Sequence, residues 1–378
     1  MASRLLQLQK CGQSYWLDNL TRGMIRGGQL QRRIKDEGLG GVTANPTTFA
    51  LALKSDDYDD EIRRLAREGR DANEIYEKLL VEDVQEACDL FLDLHRTSDG
   101  IDGYVSLEVS PHLAHDTAGT MREARRYSEL VRRPNLFIKV PGTAAGFLAI
   151  EQLLYEGLPI NITLLFSLPA YEAVIEAYLT ALERRVAEGR PLETVASVAS
   201  FFLSRIDRLV DGLLVQRDRP GDVHAGSSRL RGQAAVASAK LAYRSFRHAF
   251  SGERWDRLAV KGARVQRPLW ASTGTKDPSY RDVCYVEPLI GRDTVNTMPE
   301  KTIAAFADHG EVKPNQIEQG VEQAARTIGD LSQAGIDLHC VAWQLEHEGI
   351  RQFSDAFDSA HEALEAKRRE AVTKPAAA

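Results

Sequence analysis

Cysteine is scarce in this chain, with four residues among 378, and the four are widely separated. They are Cys11, Cys88, Cys284 and Cys340, and none forms a CxxC pair. This spacing suggests neither a disulfide framework nor a zinc knuckle. A reducing cytoplasm is therefore the expected compartment.

Long hydrophobic runs and an excess of positive charge are also missing. No apolar stretch approaches the roughly 20 residues that span a bilayer, and the polar start MASRLLQLQK lacks the apolar core of a secretory signal. The formal net charge is -6, whereas nucleic-acid backbones are bound by clustered Lys and Arg. We therefore expect neither a membrane nor a nucleic-acid partner, although local basic groups can still hold small phosphates.

The common cofactor and metal motifs are absent. The sequence has no Walker A pattern, no GxGxxG after a strand and no HExxH. His112, His115 and Asp116 in SPHLAHD offer only two imidazoles and one carboxylate, which is a weak metal signal. His347 in LEHEG is interpreted as part of a polar helix face. Neither a metal nor an organic cofactor is predicted.

A repeating pattern of short apolar run, polar turn and longer helical segment extends from residue 14 to about 292, as is typical of βα units. Segments 71–95 and 168–189 carry apolar residues at helical spacing. Eight strands are the number that closes a barrel. The predicted strands are SYWLD (14–18), GGVTAN (40–45), YVSLEV (104–109), NLFIKV (135–140), INITLLF (160–166), VASVASFF (195–202), RPLWAST (267–273) and VCYVEPL (283–289).

The predicted fold is thus an α/β protein, a (β/α)8 TIM barrel formed as a single domain over residues 1–365. Two parts exceed a minimal barrel: an insertion near 214–262, and additional helices after residue 293 that pack outside. Residues 366–378 are predicted to be a flexible tail. A doubly wound sheet remains an alternative, since periodicity and connection lengths separate the two architectures poorly.

Polar residues stand where most of the predicted strands end, which is where a barrel gathers its functional groups. Lys139 in LFIKVPG is the most informative, because burial disfavours a charged amine and frees it to attack a carbonyl. The alternative is a lysine that extends to solvent. Asp18 and Glu108 are a candidate acid/base pair, and a capping or ion-pair role is the alternative for each.

Further candidates lie on the second, fifth, sixth and seventh strands. Asn45 precedes Pro46, so its alternative role is to begin a turn. Asn161 and Thr163 are two residues apart and share a face of their strand. A guanidinium, a hydroxyl and an ammonium from Arg205, Ser272 and Lys276 would suit a phosphate if their loops converge.

Several of these segments resemble the transaldolases, Schiff-base enzymes of the pentose phosphate pathway. The resemblance extends over residues 14 to 302, most specifically in the central block. It rests on GVTANPTTF, VSLEVSP, NLFIKVPGTAAGFLAIEQLLYEGLPINITLLFS, ASFFLSRID, PLWASTGTKDP and YVEPLIGRDTVNTMPEKT.

This resemblance implies transfer of a dihydroxyacetone unit from a ketose phosphate such as sedoheptulose 7-phosphate to glyceraldehyde 3-phosphate. No cofactor is implied. The implied roles are the Schiff base for Lys139, acid/base cleavage for Asp18, water positioning for Glu108 with Thr163, hydroxyl binding for Asn45 and Asn161, polar or phosphate contacts for Ser200, Arg205 and Ser272, and a wall of the site for Phe202.

One departure and two rival functions remain. Shorter family members have an arginine close after the seventh-strand serine, whereas this chain has Thr273, Gly274 and Thr275 there, and Lys276 is taken as the counterpart of that arginine. A fructose 6-phosphate aldolase would release dihydroxyacetone to water, but such aldolases tend to have tyrosine where this chain has Glu108. A non-catalytic sugar-phosphate-binding barrel would not need Asp18, Glu108 and Lys139 together. The C-terminal extension resembles that of longer bacterial transaldolases and could cover the site or form an interface in a homo-oligomer.

Overall fold

The computed structural model describes residues 3–218 and 226–373. Its strands form one closed, all-parallel barrel in which each strand pairs with its neighbours in sequence and the last pairs with the first. This confirms the predicted TIM barrel and excludes the doubly wound alternative. The strands are β1 (Gln13–Leu17), β2 (Gly41–Thr43), β3 (Tyr104–Glu108), β4 (Leu136–Pro141), β5 (Ile160–Leu165), β6 (Ser197–Phe202), β7 (Arg267–Ala271) and β8 (Thr294–Met298).

Helices surround the barrel and bury their apolar faces on it. Both helical segments predicted from periodicity are present, and the longer begins where the Asp71 carboxylate caps the helix and Glu74 completes a capping box. The helices are α1 (Arg4–Lys10), α2 (Arg22–Arg26), α3 (Gln29–Arg32), α4 (Pro46–Ala52), α5 (Asp59–Arg67), α6 (Ala72–Thr97), α7 (Thr117–Val131), α8 (Ala144–Glu156), α9 (Leu168–Ala187), α10 (Ser204–Arg217), α11 (Ala234–Ala249), α12 (Glu253–Ala259), α13 (Glu300–His309), α14 (Val321–Gln333) and α15 (Leu338–Thr373).

The prediction of the eighth strand was wrong. Residues 283–289 form turns and a short 3-10 helix, and the strand is β8, which begins at Thr294. The earlier segment is apolar because Val283, Tyr285 and Val286 are buried, although their backbone is irregular. The prediction missed strand β8 because several of its side chains are polar and are buried by forming hydrogen bonds inside the protein. For example, Asn296 Nδ2 donates to Tyr285 O at 3.1 Å. Apolar periodicity cannot detect a strand of that kind.

The predicted insertion near 214–262 is partly a component of the barrel. Helix α11 packs against α9 and β7, which is the position of an outer-ring helix, whereas α10 packs against α15. Residues 219–225 of the predicted loop lie outside the described residues.

The helices predicted after residue 293 are present as α13, α14 and α15. Because α15 continues to Thr373, the first eight residues of the predicted 366–378 tail are helical, and 374–378 lie outside the described residues. Helix α15 contacts α4, α5, α10 and β5. Within residues 3–218 and 226–373 no helix is both long and apolar enough to cross a membrane.

Candidate active site

A cavity of about 710 Å³ opens at the carboxyl ends of the barrel strands. Sites of this fold are built at that end, where the loops that follow the strands converge. Eight of the eleven predicted site residues line the cavity: Asp18, Asn45, Lys139, Ser200, Phe202, Arg205, Ser272 and Lys276. Glu108, Asn161 and Thr163 are buried beyond its lining.

Lys139 and Glu108 form a buried ion pair on neighbouring strands. They are directly paired in the register of β3 and β4, and Lys139 Nζ lies 2.8 Å from Glu108 Oε2. The amine also donates to Ala44 O at 3.3 Å. Lys139 is 4% exposed, so it does not extend to solvent, and that alternative is wrong.

Burial raises the pKa of Glu108, although the neighbouring Lys139 opposes the shift. A carboxylate with a raised pKa binds a proton more readily at neutral pH than an ordinary glutamate. It is therefore suited to exchange a proton with the adjacent amine. Glu108 Oε1 and Thr163 Oγ1 are both buried, and neither has a hydrogen-bond partner within the described part of the chain.

Asp18 follows β1 directly and borders the cavity. Thr43 Oγ1 donates to Asp18 Oδ1 at 3.3 Å, which orients the carboxyl group. Burial raises the pKa of Asp18, and the positive charges of Lys139, Lys276 and Arg205 oppose that shift. Asp18 and Glu108 thus both act within the electrostatic field of the same lysine, which sequence alone could not show.

Asn45 lies at the edge of the cavity and begins a helix there, as its position before Pro46 predicted. Its Oδ1 accepts a hydrogen bond from Thr48 N at 3.1 Å and caps α4 in a capping box, and its side chain also lines the cavity. Helix α4 begins with Pro46 at its first turn, where a missing backbone N–H costs nothing. The local sequence therefore holds the Asn45 side chain in place at the cavity.

A chain of hydrogen bonds orders the polar side chains on β3, β5 and β6. Ser200 Oγ donates to Asn161 Oδ1 at 2.7 Å, and Asn161 Nδ2 donates to Ser106 Oγ at 3.0 Å. Asn161 also pairs with Lys139 in the register of β4 and β5. The chain connects the cavity wall at Ser200 to the strand next to the lysine.

The residues that were predicted to bind a phosphate lie on α10, which carries Arg205, and directly after β7, where Ser272 lies. Arg205 Cζ lies 5.6 Å from the centroid of the Phe202 ring, and no carboxylate of the described residues lies within ion-pair distance of its guanidinium. Ser272 Oγ is 2.9 Å from Ser204 Oγ. Ser272 is a non-glycine residue with φ of 53°, a strained conformation that concentrates at functional sites.

Arg208 was missed by the sequence interpretation and lines the same cavity. It lies one helical turn after Arg205 on α10, and residues three apart on a helix are neighbours on its surface. The spacing of the two arginines just after strand β6 was the signal that could have identified it. Lys276 lines the cavity too, so the chain offers three cations around this part of the site.

The loop that carries Lys276 is tied to α10 by buried acids. Asp207 Oδ2 accepts from the Tyr285 hydroxyl at 2.8 Å, and Asp211 Oδ2 accepts from the Tyr280 hydroxyl at 2.7 Å. Burial raises the pKa of Asp207 to about 6. These contacts hold the loop after β7 against the helix that carries the arginines.

The C-terminal helix supplies a wall that the sequence did not assign. Leu345, Glu348, Gln352 and Phe353 of α15 line the cavity. Periodicity indicated a helix in this region, but no local signal shows which surface a distant helix covers. Helix α15 of the extension thus forms part of the cavity wall, and its predicted role in an oligomer interface stays a prediction.

The two histidines of SPHLAHD contact side chains of α15. His112 Nε2 lies 2.7 Å from Asp358 Oδ1 of α15, and the His115 and His347 rings are 6.1 Å apart between centroids. Across residues 3–218 and 226–373 no three His, Cys, Asp or Glu side chains are grouped as metal ligands.

Comparisons with known proteins agree with this arrangement. The family model described as transaldolase/fructose-6-phosphate aldolase matches residues 15–364. A protein named transaldolase from Thiobacillus denitrificans is 48% identical, covering 93% of this chain and 97% of the relative. A transaldolase from a Parafrankia species is 45% identical, with 95% and 96% covered, and transaldolase 2 of a Nostoc species is 44% identical, with 97% of each chain covered. The chain therefore belongs to the transaldolase/fructose-6-phosphate aldolase family.

Proposed function

We propose that this protein is a transaldolase that transfers a dihydroxyacetone unit from a ketose phosphate, such as sedoheptulose 7-phosphate, to glyceraldehyde 3-phosphate through a Schiff base on Lys139. The observation that carries this proposal is the buried Lys139 amine, 2.8 Å from the Glu108 carboxyl group at a cavity lined by Asp18 and Arg205. The similar proteins named transaldolase support the reaction class. Its place is then the pentose phosphate pathway in the cytoplasm.

In the first step the Lys139 amine attacks the C2 carbonyl of the donor. Glu108 takes one proton from Nζ of the ion pair to free the amine for attack and passes it to the C2 oxygen, then takes a second proton from Nζ and passes it to the same oxygen. That oxygen leaves as water and gives the protonated imine, in which Nζ keeps one proton. The unpaired atoms Glu108 Oε1 and Thr163 Oγ1 support a role in holding that water, because buried polar atoms need a hydrogen-bond partner.

In the second step the ionised Asp18 takes the proton of the C4 hydroxyl. The C3–C4 bond breaks, its electron pair moves into the imine to give an enamine, and the aldose phosphate leaves. The enamine carbon then attacks the aldehyde of the acceptor, and Asp18 returns its proton to the new hydroxyl. Water addition at C2 and loss of the amine release the product ketose and restore Lys139.

Binding of the sugar is assigned to the remaining polar side chains. Asn45 and the pair Ser200 and Asn161 would hold hydroxyl groups of the three-carbon unit. Arg205 and Ser272 would hold the phosphate at the far end, with Arg208 or Lys276 as the second cation. Two of these cations, Lys276 and Arg205, lie close enough to Asp18 to favour its charged form.

The test is to incubate the protein with fructose 6-phosphate, reduce it with borohydride and locate the adduct by peptide mass spectrometry, with and without erythrose 4-phosphate. A three-carbon adduct on the Lys139 peptide that the acceptor depletes is the expected result. An adduct unaffected by acceptor, with free dihydroxyacetone accumulating, would instead indicate the aldolase. Folded protein without any adduct would refute the Schiff base and leave a binding role.

Replacing Arg205 with methionine is expected to lower kcat/KM for fructose 6-phosphate by roughly 10- to 150-fold, the value of a charge-assisted hydrogen bond of about 1.5–3 kcal/mol. The loss should fall mainly on KM, because the phosphate is bound alike in the ground state and the transition state. Unphosphorylated fructose is the control substrate, and its rate should change little. An equal loss with fructose would show that Arg205 does not bind the phosphate.

A further inference from the structure

One face of α15 forms a wall of the active-site cavity. Leu345, Glu348 and Gln352 line the cavity and are spaced by three and four, which places them on one face of the helix. Phe353 lines the cavity from the position next to Gln352. A barrel of eight strands and their helices does not itself require this element. The helix therefore adds a surface to a site whose other groups come from the strands and the loops that follow them.

Helix α15 docks closely enough to place that face accurately. Gly349 lies against β5 and α10, where an added Cβ would be 2.9 Å from Leu164 Cδ2 and 3.5 Å from Arg205 Nη1. Leu164 has φ of 60° and lies where the pairing of β5 and β6 is irregular. The missing side chain of Gly349 thus lets the helix backbone approach the carboxyl end of β5, one turn before Phe353.

Phe353 contacts both functional ends of the cavity. Its ring centroid is 5.6 Å from Lys139 Nζ and 5.9 Å from Arg205 Cζ. The Phe202 ring lies on the same guanidinium at 5.6 Å, so two aromatic rings hold Arg205 in place of a carboxylate. Phe353 is 3% exposed, so its apolar ring fills the space beside the Lys139 amine on the α15 side of the cavity.

We propose that Phe353 is a positioning residue that directs the enamine on Lys139 towards transfer and away from release to water. This inference rests on the proposed function. After cleavage, transfer joins the enamine carbon C3 to the acceptor aldehyde and needs no proton at C3. Release requires that C3 takes a proton from water, that a second water adds to C2, and that the bond from C2 to Nζ breaks to give dihydroxyacetone and the free amine. Because both routes end with water addition at C2, the step that distinguishes them is protonation of C3. A ring that keeps water from the enamine while the acceptor is awaited slows that step and therefore slows release.

The experiment uses the full chain with fructose 6-phosphate as donor and erythrose 4-phosphate as acceptor, and measures sedoheptulose 7-phosphate and dihydroxyacetone in the same reaction. The ratio of release to transfer should rise about tenfold in Phe353→Ala, because removal of the ring lets water reach C3 of the enamine and lowers the barrier to its protonation. Phe353→Leu, which keeps an apolar barrier, should bring the ratio back towards that of the unmodified protein. A merely structural loss would lower both products together and leave the ratio unchanged, which would overturn the proposal.

Phe357→Ala is the matched control, one turn later on α15. Phe357 packs on Tyr76, with centroids 5.1 Å apart, and is outside the lining of the main cavity. The ratio of release to transfer in Phe357→Ala should equal that of the unmodified protein. An equal rise of this ratio in Phe353→Ala and Phe357→Ala would show that docking of the helix, and not the Phe353 ring, controls release. Borohydride trapping in the unmodified protein separates the two hypotheses, because absence of a Lys139 adduct there would refute the proposed function itself.

Discussion

Lys139→Met is expected to lower turnover of sugar phosphates by about 10⁴-fold or more, as removal of a covalent nucleophile does in other enzymes. Methionine fills similar space but has no amine, so neither the imine nor the enamine can form. The fold should tolerate the change, because burial already raises the pKa of Glu108, and a protonated carboxyl group costs less to bury than an unpaired charge. The measurement is a coupled assay of product formation together with borohydride trapping.

Lys240→Met is the matched control for this variant. Lys240 is also partly buried, with its Nζ donating to Gln316 O at 2.6 Å and Gln319 O at 2.8 Å, and burial lowers its pKa to about 8. It lies on α11 and does not line the cavity. Its replacement should leave turnover and the adduct unchanged. Turnover by Lys139→Met close to that of the unmodified protein would refute the Schiff-base mechanism.

Asp102→Ala is expected to lower the free energy of unfolding by about 3–5 kcal/mol, the cost of leaving a buried charge without its partner. Asp102 lies at the amino-terminal end of the barrel, opposite the cavity. It accepts hydrogen bonds from Ser14 Oγ at 2.5 Å, from Trp16 Nε1 at 3.1 Å and from Arg267 Nη1 at 3.3 Å. The substitution would deprive β1 and β7 of a shared acceptor and leave the Arg267 guanidinium buried without its carboxylate.

Urea denaturation measures this loss as a shift of the midpoint at an unchanged slope. Asp89→Ala provides the control, since Asp89 pairs with Arg133 at 2.6 Å but has a side chain that is 51% exposed. Exposed pairs contribute about 0–1 kcal/mol, so the control should change little. A loss below about 1 kcal/mol for Asp102→Ala would mean that the cluster is not a net support of the barrel. Folded Asp102→Ala should keep its turnover, because the cluster is remote from Lys139.

Strand prediction succeeded where side chains are apolar and failed where they are polar. The segments around Trp16, Ile138 and Ile162 are apolar runs bounded by turns, and each forms a strand within one or two residues of its predicted range. Strand β8 contains Thr294, Asn296 and Thr297, which hydrogen-bond to Gln13, Tyr285 and Thr43, residues that only the fold brings next to them. Hydrophobic periodicity reports burial of apolar groups, so it identified the buried but irregular 283–289 segment instead.

Prediction of the site had the same limit. Lys139 stands out in the sequence because an apolar strand surrounds it, and Asp18 stands out because it ends one. Arg208 and Phe353 do not, since each lies on a helix where an arginine or a buried phenylalanine is ordinary. Their importance comes from proximity to residues more than sixty positions away along the chain, as with Lys139 and Arg208.

The sequence by itself determined the alternation of strands and helices, the buried lysine and the family, because those depend on local patterns and on motifs of adjacent residues. Only the tertiary structure decided the eighth strand, the pairing of Lys139 with Glu108 at 2.8 Å and the placement of α15 over the cavity. Each of these depends on which surfaces meet when the barrel closes. That choice is made by the packing of the whole chain and not by any one segment.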